Sequence, residues 1–198
     1  MLNEDVRVAN EVAAMALARE ALGSELVPAV YGWDRGSGNS ENGDSYVPGW
    51  ALMELKPGTQ LGEKFESLEA SAQRGILGQV AEIFQKLQSH KLPESIKGYG
   101  GLNFDADGNI VVGATAIYGG GPCDTLVELY TECFQTQVNF ADKCDVVKGW
   151  KDTDLRTRID KFASEGLKPL LAEVQSKMPV RPTLVHGDFG EWYMPSNS

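Results

Sequence analysis

The sequence contains few of the residues that build disulfide frameworks or metal sites. Its 198 residues include three cysteines and two histidines, and no two cysteines are spaced as CxxC. An odd number of widely separated cysteines argues against a disulfide framework, and neither residue type has the spacing of zinc ligands. We therefore expect free, partly buried thiols in a reducing compartment and no protein-held metal cluster of cysteine and histidine.

Long apolar runs and basic residues are also scarce. No apolar run approaches the roughly 18 residues that a membrane-spanning helix requires. The chain begins with an acidic segment, Met1 to Asp5, whereas a signal peptide begins with basic residues. The formal net charge is −10, and such a surface repels phosphate backbones and anionic lipids. We expect a cytoplasmic protein that binds neither nucleic acid nor membrane; its oligomeric state stays open.

The sequence lacks the common glycine-rich phosphate loops, because its glycine clusters match neither GxGxxG nor GxxxxGK[ST]. It also lacks a calcium loop. Asp105, Asp107 and Asn109 imitate the first ligands of an EF-hand, but the sixth position requires glycine and holds Ile110. We expect this segment to form a hairpin turn that leads into a short strand.

The composition is that of a globular protein, with 42% hydrophobic and 23% charged residues. Hydrophobic periodicity predicts a mixed α/β beginning and a mainly helical remainder. The predicted helices lie at about 4–22, 69–90, 124–138, 153–164 and 167–177. The predicted strands lie at 27–33 and 50–55, around a polar loop at 35–49, and at 110–112. Val8, Val12, Met15 and Leu22 form one apolar face of the first helix, with an interruption at Arg19.

Near the C-terminal end, an extended apolar segment, Thr183-Leu184-Val185, leads into His186-Gly187-Asp188. Glycine allows a close backbone approach, and an aspartate held at such a turn can accept the proton of an attacking hydroxyl in phosphoryl transfer. On these residues alone, a turn capped by an aspartate is the alternative interpretation.

Together with four other segments, this motif resembles the aminoglycoside phosphotransferase and choline-kinase-like family, whose fold is that of protein kinases. The five segments are 10–13 (NEVA), 26–32 (LVPAVYG), 50–58 (WALMELKPG), 87–93 (LQSHKLP) and 183–188 (TLVHGD). Their order and separations agree with the family over nearly the whole chain.

The resemblance implies a role for each site residue. Glu11 would pair with an ATP-binding lysine, the backbone at Glu54 and Leu55 would face adenine, and Asp188 would be the catalytic base. The implied cofactors are ATP and Mg²⁺. The implied acceptor is a small hydroxylated molecule, and this class includes cationic molecules. Each of two residues also has a structural alternative to a site role. Glu11 would be an exposed helix carboxylate, and His90 would end its helix and have no catalytic role.

The resemblance also implies the fold class. We expect an α+β protein with a partial protein-kinase-like fold. Residues 1–56 would be the remnant of a small N-terminal β lobe, and residues 57–198 a mainly helical C-terminal lobe that is truncated just after the catalytic loop.

Three departures from the family bear on activity. One is that the family's second metal-binding residue, an aspartate on the strand after the catalytic loop, is absent, because the sequence ends at Ser198. The family's glycine-rich loop and lysine precede the helix of Glu11, and this sequence does not contain them. Its magnesium-binding asparagine lies five residues after the catalytic aspartate, where this sequence has Tyr193, and a phenol is a poor ligand for a hard cation. We therefore expect a fragment with little or no kinase activity. The alternative is a non-catalytic kinase-like binding or scaffold protein.

Overall fold

Five helices and two small sheets make up the protein in the computed structural model, which describes residues 4–37, 47–58, 61–147, 150, 153–177 and 181–187. The helices are α1 (Glu4–Leu22), α2 (Ala70–Ser89), α3 (Leu126–Lys143), α4 (Leu155–Lys161) and α5 (Lys168–Lys177). The strands are β1 (Val30–Ser37), β2 (Val47–Met53), β3 (Gly101–Phe104) and β4 (Ile110–Gly113). Two 3₁₀ turns lie at Leu61–Glu63 and Phe65–Ser67. This content confirms the predicted α+β class. The two kinase-like lobes, divided after residue 56, stay a prediction.

Helix α1 ends where the sequence predicts, because Gly23 adopts φ 90°, a left-handed conformation that glycine tolerates best. Its buried face is shifted from the predicted one, since Met15 and Leu22 are only part-buried. Ala9, Ala13 and Leu17 are buried in their place. The buried residues of α1 include Val8, Ala9, Val12, Ala13 and Leu17.

Strands β1 and β2 form the predicted hairpin. The Glu54 N–H donates to the Ala29 carbonyl at 2.7 Å, and Gly36 lies against the backbone of 47–49, so the two strands run antiparallel. A side chain at Gly36 would collide with the Val47 carbonyl, and its φ of 77° also favours glycine. The strands extend into 35–37 and 47–49, where a loop was predicted, and the rest of that loop lies outside the described residues.

Strands β3 and β4 pair antiparallel from Gly101 opposite Gly113 to Phe104 opposite Ile110. Residues 105–109 connect them, which confirms the predicted hairpin turn. Strand β3 was not predicted, because only four residues precede the turn and they carry no clear alternation.

The C-terminal helices differ from prediction at their ends. Thr125 and Glu128 form a capping box: the Thr125 hydroxyl accepts from the Glu128 N–H at 3.1 Å, and the Glu128 carboxylate accepts from the Thr125 N–H at 3.0 Å. This begins α3 as expected, but the helix continues past residue 138 to Lys143.

The break predicted near residue 166 is wrong. A π-helical segment, Phe162–Leu167, joins α4 directly to α5. Gly166 lies against the Phe162 ring, where a larger side chain would collide, and the Phe162 ring meets that of Phe134 edge-on at 5.9 Å. The wider turn of the π-helix therefore accommodates the contact between Gly166 and Phe162, and the chain stays helical.

The chain divides into two compact units, whose boundaries pass through α1 and the β1–β2 hairpin. The first comprises residues 1–13, 34–50 and 93–182, and its buried apolar residues include Val8, Ala9, Val12, Ala13, Cys123, Val138 and Leu167. The second comprises residues 14–33, 51–92 and 183–198, and its buried apolar residues include Leu17, Val27, Leu61, Leu87 and Leu184. Among the described residues, no helix combines the length and the hydropathy that crossing a bilayer demands.

Candidate functional site

The segment after strand β2, residues 54–56, which we call the hinge segment, contains two of the predicted site residues. Glu54 is about two-thirds buried, with its side chain 32% exposed. Leu55 is the opposite, with 92% of the residue exposed, and it makes no hydrogen bond within the described part of the chain. In and next to a strand, the backbone N–H and carbonyl groups normally bond to a neighbouring strand. An exposed leucine with both groups free is therefore unusual directly after a strand.

The Glu54 carboxylate is held from three sides. Its Oε2 accepts a hydrogen bond from the Ala29 N–H at 3.0 Å and lies 3.6 Å from the Arg19 guanidinium. Its Oε1 accepts from Lys56 Nζ at 2.9 Å. Arg19 also donates to the Val27 carbonyl, and Lys56 donates to the Ser24 carbonyl at 2.6 Å. The hinge segment is thus tied to the end of α1 and to the chain that enters β1.

These contacts also fix the charge of Glu54. The hydrogen bond from Lys56, followed by that from the Ala29 N–H, lowers the pKa of the Glu54 carboxyl below its ordinary value. Glu54 is therefore ionised near neutral pH, and the network contains one anion between two cations.

Glu11, predicted to pair with a lysine, lies on α1 with half of its side chain exposed. Its ion-pair partner among the described residues is Arg7, one helical turn earlier, at 3.9 Å. Such an exposed i,i+4 pair contributes little stability. The nucleotide-related role of Glu11 stays a prediction.

Asp188, the predicted catalytic base, lies outside the described residues, as does Tyr193. The segment that leads to it, 181–186, forms neither helix nor strand. Pro182 has no N–H to donate to a sheet, which is consistent with this. Leu184 is buried at 9% exposure, whereas His186 is exposed, so one apolar side chain anchors the approach to Asp188.

His90 ends helix α2, as the structural interpretation of this residue predicts. Its N–H donates to the Lys86 carbonyl at 3.0 Å and so ends α2. Its Nε2 lies 3.7 Å from the Glu20 carboxylate, and 17% of the side chain is exposed.

The Asp105 turn has no features of a calcium site. Asp105 Oδ1 accepts from the N–H groups of Asp107 and Asn109 at 3.0 and 2.8 Å, and Oδ2 accepts from the Asn109 side chain. The Asn109 side-chain bond, and then the Asn109 N–H, lower the pKa of Asp105. Both carboxylate oxygens are therefore used by the turn itself.

The cysteines are free, as predicted. Burial raises the pKa of the Cys123 and Cys133 thiols, so both favour the protonated form. No group of three histidine, cysteine or acidic residues within the described ranges could hold a metal ion.

Comparison with known protein families concerns the chain as a whole, and the roles of the hinge segment and of the 183–188 motif stay predictions. The model of the phosphotransferase enzyme family matches residues 3–192. The chain belongs to this family. Searches of curated proteins and of solved structures found no match. The phosphotransferase family generally uses ATP and Mg²⁺.

The sequence predicts a site at Glu54 and Leu55, which stays a prediction, and it does not predict the residues that hold this segment. Arg19 and Lys56 had no predicted role. Arg19 nevertheless left a signal, because it interrupts the apolar face of α1, and a cation on such a face indicates a partly buried anionic partner. No local signal identifies Glu54 as that partner, since it lies 35 residues away along the chain.

Proposed function

We propose that this protein transfers a phosphoryl group from ATP to the hydroxyl of a small molecule. The observation that carries the proposal is the match to the phosphotransferase enzyme family over residues 3–192. The matched range includes the hinge segment, Asp188 and the His-Gly pair that precedes it.

The exposed peptide at Leu55 suits the adenine end of ATP. Adenine presents a donor and an acceptor along one edge, and the free N–H and carbonyl of an exposed backbone segment can pair with both. The Glu54 N–H is already bonded to Ala29, so we assign the pairing to Leu55. Leu55, 92% of which is exposed, would also lose water when a planar base covers it.

Asp188 is the proposed base at the acceptor end. Bound ATP supplies the phosphoryl group that is transferred. Asp188 would orient the acceptor hydroxyl and take its proton as the hydroxyl oxygen bonds to the γ-phosphorus, while the bond from that phosphorus to the β–γ bridging oxygen breaks and ADP leaves. The net charge of −10 favours a cationic acceptor, such as an amino sugar, by long-range attraction.

The residues present fit magnesium poorly, because Tyr193 occupies the position that the family resemblance assigns to a metal-binding asparagine. We propose that turnover by this chain is slow, since a phenol leaves developing phosphate charge poorly neutralised.

Thermal unfolding with millimolar ATP and Mg²⁺ tests the proposal. Ligand that binds only the folded state raises the melting temperature. We expect a rise that Leu55→Pro reduces, because it removes the N–H assigned to adenine, and that Asp188→Asn retains, because Asp188 lies at the acceptor end of the proposed site. No rise at millimolar nucleotide would contradict the nucleotide site and favour a non-catalytic binding protein.

Magnesium-dependent phosphate transfer provides the second test. We expect it to be slow in the natural chain and faster in Tyr193→Asn, whereas the exposed Tyr118→Asn should leave it unchanged. Efficient transfer by the natural chain, lost in Asp188→Ala, would overturn the proposed low turnover but not the reaction.

A further inference from the structure

The side chain of Glu54 faces the protein and not the exposed side of the hinge segment. Both of its oxygens are engaged, by the Ala29 N–H, by Arg19 and by Lys56. A carboxylate with this many donors has little capacity left for a ligand. We therefore look for its role in the backbone segments that it holds in place.

The contacts of Glu54 immobilise both neighbours of the Leu55 peptide. Glu54 is tied to Ala29 through its N–H and its carboxylate, and Lys56 is tied to Glu54 and to the Ser24 carbonyl. Leu55, between them, is exposed and makes no hydrogen bond within the described chain. A free peptide between two fixed residues has few conformations, so a ligand that pairs with it loses little conformational entropy.

We propose that the Glu54 carboxylate, with Lys56 as its partner, is a positioning residue for nucleotide binding. It fixes the Leu55 peptide in the orientation that adenine requires and does not touch the nucleotide itself. This role rests on the proposed phosphotransferase function, and it goes beyond the backbone role predicted for Glu54.

Adenosine binding by the full chain, measured by titration calorimetry, tests the role, because adenosine reports on the base end without phosphate contacts. Glu54→Gln keeps the size of the side chain but removes its charge, and Glu82→Gln makes the same change at an exposed position on α2. We expect adenosine affinity to fall about tenfold in Glu54→Gln, as loss of a charge-assisted contact would produce, and to be unchanged in Glu82→Gln.

Lys56→Met, with exposed Lys64→Met as its control, provides a second variant in case Glu54→Gln does not fold. We expect a smaller loss of adenosine affinity in Lys56→Met, because Glu54 keeps Ala29 and Arg19. Every affinity is measured where circular dichroism shows the variant to be folded, so a change in stability alone would leave it unaltered.

The outcomes separate the two proposals. Adenosine binding that is equal in the natural chain, Glu54→Gln and Lys56→Met would overturn the positioning role and leave the nucleotide site intact. Absence of adenosine binding by the natural chain would overturn the nucleotide site, and the positioning role with it.

Discussion

Asp105 and Glu54, two carboxylates among the described residues, each accept several hydrogen bonds, and they differ in where the donors come from. Asp105 bonds to Asp107 and Asn109, within four residues along the chain. Glu54 bonds to Lys56 but also to Ala29, 25 residues away, and pairs with Arg19. The Asp105 turn is thus specified locally, whereas the Glu54 network exists only after the chain has folded. The first stabilises a connection, and the second fixes a segment that we assign to nucleotide binding.

Amide exchange should show the largest difference between these two regions. Removing the carboxylate in Asp105→Ala is expected to speed exchange about tenfold at the amides of Asp107 and Asn109 alone, because their bonds are local. Glu54→Ala should speed exchange by a similar factor at Ala29 and at the amides of 24–27. Exchange measured by NMR that stays confined to residues 53–56 in Glu54→Ala would contradict the long-range network.

Glycine substitutions sharpen the same contrast through the backbone. Gly108 adopts φ 83° in the Asp105 turn with open space around it, so Gly108→Ala should destabilise the protein by about 1 kcal/mol. Gly78 lies in the exposed interior of α2 with nothing near it, so Gly78→Ala should stabilise by about 1 kcal/mol. Urea unfolding measures both. A destabilised Gly78→Ala would show that α2 does not behave as an ordinary exposed helix.

The pH dependence of stability tests both carboxylates. The pKa of each is lowered in the folded protein, so each contributes stability that is present above its ordinary pKa and is lost as the pH falls below it. Melting temperatures should therefore decline below about pH 4, the ordinary carboxyl range. Carbon-detected NMR titration should show the Glu54 pKa move up towards its ordinary value in Lys56→Met, and that of Asp105 in Asn109→Ala. A Glu54 pKa unchanged by Lys56→Met would refute the assigned cause.

The same difference between local and long-range contacts explains which features could be predicted from the sequence. The Asp105 turn and the capped start of α3 depend on residues a few positions apart, and the β1–β2 hairpin on two β-leaning segments around a polar loop, so all three were predictable. The continuous helix through residues 162–167 was not predictable, because a glycine normally favours the end of a helix. Here the wider turn of the π-helical segment brings Gly166 against the Phe162 ring, and the sequence does not reveal this contact. Glu54 was predicted from a family resemblance to present its backbone, yet two of the three partners of its side chain are distant in sequence: Arg19 lies on α1, and Ala29 lies before β1. Only the folded chain brings them together.

Titration of the isotope-labelled chain with ATP, followed at the Leu55 amide, shows whether the hinge segment binds adenine. If it does, the Leu55 amide resonance should shift saturably, while that of exposed Asp107 stays in place. A Leu55 resonance that does not move at millimolar ATP would contradict adenine binding at this segment.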